Sequence, residues 1–185
     1  RRIYKRAEWR RDHAMLAALH ARFDGERESS RSVGRETLHY MRLRGWRDLR
    51  RTAEVEHSHA PELASAMLTL MDEDCAEVSA SQGTHMPERE WLLAGKLLVP
   101  HAPQVRLSSR GLGWHAPSGL ALEQFPAQRV DGLQAMWNAS PQHLLKLVSK
   151  AQSTVLLWSL TRALQDQSVY LDQLDVPQVE PLLHK

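Results

Sequence analysis

Apolar residues recur every three or four positions along most of this chain, the period of an amphipathic helix. The pattern predicts a first helix from about Ile3 to Phe23, with Ile3, Trp9, Leu16, Leu19, His20 and Phe23 near one side. Asp24 and Gly25 end it, and the polar run 25–35 reads as a loop. A second helix follows over about Arg35–Val55. A third covers HAPELASAMLTLM, with Pro61 in its first turn, and a fourth runs from Glu88 to Val99. Residues 100–132 break the period with four prolines and four glycines, and predict a long irregular connection with a short extended piece around Val105–Leu107. Beyond it, Gly132–Asn138 reads as one or two helical turns. Ser140 and Pro141 open a helix over Gln142–Lys150, Ser153–Gln165 forms the next, and a weak segment starts at Asp175. No convincing strand pair emerges. The fold class predicted is all-α, a bundle or a HEAT-like α-solenoid.

The second helix carries the most informative wheel. Leu38, Met41, Gly45, Leu49, Ala53 and Trp46 share one arc, and Arg44, Arg47, Arg50 and Arg51 occupy the opposite side with Tyr40 and Leu43 among them. Arginines interleaved with an aromatic suit a surface that tracks phosphates and stacks bases. The plainer alternative, favoured here, is a second packing face with ion pairs to neighbouring helices. Arg42 falls inside the apolar arc, so its guanidinium must find a partner in the core, for which the acidic run Asp72-Glu73-Asp74 is one candidate.

Charge adds an asymmetry. Residues 1–58 hold 15 Lys and Arg against 9 Asp and Glu, a net +6, whereas residues 59–185 are net −4. A basic half points to anionic partners or to a solvated helix face. With 185 residues the chain has the length of one domain, divided here into N-terminal helices (1–99), the loop 100–132 and C-terminal helical pairs (133–185). No stretch approaches the ~18 apolar residues of a membrane span, so no membrane partner is expected. The opening Arg1-Arg2, with neither an initiator Met nor an apolar run behind it, suggests a fragment of a longer, cytoplasmic protein.

Chemistry is sparse. The one cysteine, Cys75, has acidic neighbours that disfavour its thiolate. His57 and His59 fall short of a metal ligand set, and no phosphate-binding loop or nucleophile elbow occurs. Neither cofactor nor catalytic residue is assigned. Of six tryptophans, five lie on predicted helices and read as core; Trp114, beside His115 in the long loop, either anchors that loop or contacts a ligand.

The segment RRIYKRAEWRRDHAMLAALHARFD, the run Tyr40–Arg51 with its Y-x-R-x-R-x-W-R-x-L-R-R pattern, and the C-terminal SPQHLLKLVSKAQSTVLLWSLTRAL resemble bacterial HEAT-like helical-repeat proteins, some of which carry a WGR domain. The resemblance covers about half the chain. It implies a solenoid segment and supplies no catalytic residues. The expected function is therefore a non-catalytic scaffold for a macromolecular partner, protein ahead of nucleic acid. The alternatives are nucleic-acid binding through the arginine face, or, last, a HEAT-like DNA base glycosylase.

Overall fold

The computed structural model describes residues 2–25, 33–55, 58–79, 92–103, 106–107, 114–115 and 127–175, the side chains of 74–79, 106–107, 114–115 and 154–155 excepted. Among them the regular secondary structure is helical apart from one two-residue ladder. The helices of the first half are α1 (Arg2–Arg10), α2 (His13–Gly25), α3 (Arg35–Val55), α4 (Ala60–Ser79) and α5 (Leu92–Leu98). Strands β1 (Arg106–Leu107) and β2 (Trp114–His115) pair antiparallel, with Arg106 opposite His115 and Leu107 opposite Trp114. Then come α6 (Gln134–Ala139), α7 (Pro141–Lys150), α8 (Thr154–Gln165) and α9 (Ser168–Leu171). No described helix is long and apolar enough to cross a membrane.

The predicted first helix is in fact two. At the end of α1 the Asp12 N–H donates to Ala7 O and the Arg11 N–H to Glu8 O, and Arg11 adopts a left-handed φ of 52°. These nested bonds satisfy carbonyls that a helix end otherwise leaves open. Asp12 then starts α2: its carboxylate accepts from the Met15 N–H at 3.0 Å, a side-chain N-cap. The break re-phases everything before it. Tyr4 and Ala7 are buried, whereas Ile3 is 66% and Trp9 83% exposed, which corrects the assignment of both to the core.

The core forms around α2, which packs most extensively on α4 and also touches α1, α3 and α5. Leu16 and Ala17 of α2 share one buried cluster with Leu63, Ala64, Met67 and Leu68 of α4, all nearly solvent-free. Helix α3 has the bounds that its periodicity predicts and buries Leu38, Met41, Gly45, Leu49 and Ala53. Trp46 is only partly buried, with the Lys96 ammonium 5.0 Å from its ring centroid. Burial pushes the Lys96 pKa down. Of the other tryptophans expected in the core, Trp137 is buried, Trp158 is half-buried and Trp91 lies outside the described residues.

Two buried aspartates fasten elements that are distant in sequence, and a third closes a local pair. Asp24, at the end of α2, accepts from the Leu93 N–H at 2.9 Å and the Ala94 N–H at 3.0 Å, and so caps α5 from another helix. Asp72 of α4 accepts from the Gln152 and Ser153 N–H groups at 2.7 Å each, pinning the turn between α7 and α8. Asp131 takes two bonds from Arg129, at 2.5 and 2.9 Å, with both side chains buried.

Arg42 is fully buried, as its place in the apolar arc requires, but its described bonds go neither to Asp72 nor to Glu73, and the Asp74 side chain lies outside the described residues. Its Nε donates to Phe23 O and its Nη2 to Asp24 O, each at 3.0 Å, so it closes the C-terminal end of α2. The turn pinned by Asp72 joins the predicted helical pair, α7 and α8, which pack on each other. The predicted connection 100–132 is tied down near its end: the His101 N–H donates to Val130 O, and the Gly132 N–H to Leu97 O at 2.8 Å. A helix not predicted, α9, occupies Ser168–Leu171, and the weak segment expected from Asp175 lies, beyond its first residue, outside the described residues.

A buried polar cluster joins α1, α2 and α3. Tyr4 Oη and His20 Nε2 are hydrogen-bonded at 2.8 Å, and Asp48 Oδ2 lies 3.7 Å from the same nitrogen. Burial pushes the His20 pKa from 6.5 down to about 4, and pushes the Asp24 carboxyl up from 3.8 to about 6 against the lowering effect of the α5 N–H groups and Arg42. The two act on stability with opposite sign. Between pH 6.5 and 4 the unfolded chain binds a proton at His20 more readily than the folded chain, so the His20 contribution is lost as pH falls. Between pH 6 and 3.8 the folded chain holds a proton at Asp24 more readily, so acidification there favours folding. His20→Gln removes the first effect alone. Across urea melts from pH 7 to pH 4, the parent should lose about 3 kcal/mol relative to this variant. Parallel pH profiles would contradict the burial of His20.

Candidate functional site

The residues singled out on α3 do not form one uniform cationic face. Arg44 is half-buried and turned toward α1: its Nε donates to Glu8 Oε1 at 2.8 Å, its Nη2 to Glu8 Oε2, and its Nη1 to Tyr40 Oη at 2.7 Å. Its guanidinium carbon also lies 5.5 Å from the Tyr4 ring centroid and 6.0 Å from that of Tyr40. The hydrogen bonds to Glu8 raise its pKa further above the ordinary arginine range. This is a bidentate pair that holds α1 on α3. Arg50 pairs with Glu54 one turn along the same helix at 3.5 Å, both side chains exposed. Arg47 and Arg51 are exposed. Tyr40 is 36% exposed and committed to Arg44. Trp114 and His115 hold the β2 side of the ladder, and their side chains lie outside the described residues.

The larger cationic face is on α1. With Tyr4 and Ala7 turned inward and Glu8 engaged by Arg44, the helix presents Arg2, Ile3, Lys5, Arg6, Trp9 and Arg10 to solvent. No acid lies on that face, and none of the four cations makes an ion pair with another described residue. At a rise of about 1.5 Å per residue, Arg2 to Arg10 spans about 12 Å. An indole exposed in the middle of four cations is not core, and no described neighbour covers it. The physical cause is the helix break. Were α1 continuous with α2, Trp9 would keep the phase of Leu16 and His20; the left-handed turn at Arg11 releases it.

Beside this face a groove of about 540 Å³ runs between the α1–α2 corner and the C-terminal half of α3. Lys5, Trp9 and Arg11 line it together with Arg51, Thr52 and Val55, and the carboxylates of Glu8 and Asp48 line it as well. The groove joins Lys5 of that face to Arg51, so part of the predicted arginine arc does reach the site. The signal for the rest was present in the sequence: Asp12 is a favoured N-cap residue, and placing a helix start there puts Trp9 among arginines rather than leucines.

Catalytic chemistry finds little footing. Tyr4, His20 and Asp48 have the residue types of an acid–base relay, but Tyr4 and His20 are each 1% exposed, which closes them to a substrate. Burial, the largest influence on each, raises the Tyr4 pKa and lowers that of His20, so both stay neutral at pH 7. His59 stacks on His13, ring centroids 4.9 Å apart, with its Nδ1 3.9 Å from Glu62. Among the described residues no group of three or more His, Cys, Asp or Glu is placed to hold a metal ion. His57 and the Cys75 side chain lie outside the described residues. Comparison with protein-family models, curated proteins and solved structures gives no match.

Proposed function

We propose that this chain is a non-catalytic helical scaffold that binds a polyanionic macromolecule through the outer face of α1, continued by Arg47 and Arg51 of α3. The observation that carries this reading is Trp9, 83% exposed on a nine-residue helix whose outward side holds four cations and, besides Trp9, one exposed apolar residue, Ile3. A cationic face without counter-charges gains long-range attraction for an anionic partner, and counterion release makes that attraction salt-dependent. An acidic protein surface and a nucleic-acid backbone both offer the required chemistry. The α7–α8 pair supports placing the segment in a HEAT-like solenoid, an arrangement suited to stacking further helical pairs at either end.

Heparin chromatography tests the reading. The parent should be retained and elute with added salt. A variant carrying Arg2→Gln, Lys5→Gln, Arg6→Gln and Arg10→Gln should pass through unretained with an unchanged melting temperature. Neutralising Arg44, Arg47, Arg50 and Arg51 together should shift elution less, because Arg44 and Arg50 already face Glu8 and Glu54. A parent that is not retained, or a larger shift from the α3 variant, would contradict the assignment to α1.

A further inference from the structure

We infer that the polyanion is a single-stranded nucleic acid, its phosphates on Arg2, Lys5, Arg6 and Arg10 and one base stacked on the indole of Trp9. The inference rests on the polyanion reading and adds the class of ligand. Its first support is charge complementarity: four cations over about 12 Å of helix match a strand carrying one charge per nucleotide. Its second is the aromatic. Phosphate contacts alone need no tryptophan, whereas a base offers a planar face to any exposed indole, and stacking of this kind is tolerant of sequence. Its third is the groove. At about 540 Å³ it lies within the range of small-molecule pockets, and it combines Trp9 and Val55 with the cations Lys5 and Arg51; of its two carboxylates, Glu8 is engaged by Arg44 and Asp48 lies toward His20. A base stacked on Trp9 has an apolar wall beside it and cations for the next phosphate.

The competing partners fit less of this. A duplex keeps its bases paired inside the stack, so it satisfies the cations and leaves the indole without a mate. An acidic peptide answers the charge and covers the ring only where an apolar side chain falls among its carboxylates, whereas a single strand offers a planar face at every nucleotide. The single strand accounts for the cations, the tryptophan and the groove together.

The test is a fluorescence-anisotropy titration of the full chain with labelled oligodeoxythymidine, a duplex of equal length and polyglutamate of equal charge. The variants are Trp9→Ala, Trp9→Phe and the four-glutamine variant of α1, each checked for an unchanged circular dichroism spectrum. The single strand should bind more tightly than the duplex. Trp9→Ala should weaken single-strand binding about 5- to 150-fold, the range for loss of one base–aromatic stack, while Trp9→Phe retains most of the affinity and duplex binding stays the same. Neutralising the four cations should lower the slope of log K against log salt by roughly 3, at about 0.7 per phosphate contact on a single strand. If Trp9→Ala leaves single-strand affinity unchanged while the four-glutamine variant abolishes it, the inference falls and the polyanion reading stands. Binding of polyglutamate without binding of the oligonucleotide has the same consequence and points to an acidic protein. If none of the three probes binds, both fall together.

Discussion

Replacing Arg42 by alanine should destabilise the protein by about 3–5 kcal/mol, the cost of leaving one member of a buried charged pair behind. Three losses combine. The Phe23 and Asp24 carbonyls lose their guanidinium donors, each a 3.0 Å bond in a dry site. The Asp24 carboxyl, itself fully buried, loses the positive charge that lowers its pKa. A side chain with no solvent exposure leaves a void among α2 and its neighbours. Arg42→Lys should fall between parent and alanine, since it keeps charge without the planar fork. The contrast is Arg47→Ala on the exposed side of the same helix, expected to stay within about 0.5 kcal/mol of the parent. Urea unfolding of the three variants gives the comparison; equal losses at positions 42 and 47 would show that Arg42 does not close the end of α2.

Gly132→Ala should cost about 3 kcal/mol or more, above the usual range for overpacking. A Cβ at this position would stand 2.1 Å from the backbone oxygen of Lys96 and 3.2 Å from Pro100 Cγ. A carbonyl in the last turn of α5 has no rotamer to escape into. The loop must move instead, and that movement breaks the bond from the Gly132 N–H to Leu97 O and strains the adjoining Arg129–Asp131 pair. Gly45 offers the control. Its Cβ would meet only side chains, Leu93 Cδ1 at 3.1 Å and the His20 ring at 3.2 Å, which can give by small adjustments. Alanine also gains about 1 kcal/mol of helix propensity over glycine. Gly45→Ala should therefore be close to neutral in the same melts, and a loss matching that of Gly132→Ala would contradict the packing described for α3.

What the sequence made legible follows the range of the interactions. Helix α3 was readable to its ends because one amphipathic pattern runs through it without a break, and the burial of Arg42 followed from its place within that pattern. The identity of its partner did not, because the α2 terminus is 18 residues away and only the packing of α2 on α3 brings the two together. Asp24 reads locally as a helix-ending residue; that it caps α5 is a contact across 69 residues that no local signal encodes. The α1–α2 break was legible in principle through Asp12, but a run of alanines and leucines after it maintains a helical period across the junction. The left-handed Arg11 sits where glycine is the usual marker. That single junction decides the candidate site, since it moves Trp9 from the predicted core to the surface and shifts the proposed binding face from α3 to α1. Arg44 illustrates the reverse: prominent on the wheel, it is consumed by a pair with Glu8, the one acid of α1.

The stability of Trp9→Ala measures most directly whether the outer face of α1 is a surface. With the indole 83% exposed, urea unfolding should change by no more than about 0.5 kcal/mol, as for other surface positions. A loss of about 3–5 kcal/mol, the cost of deleting a buried tryptophan, would put Trp9 back in the core of one continuous helix and contradict the account.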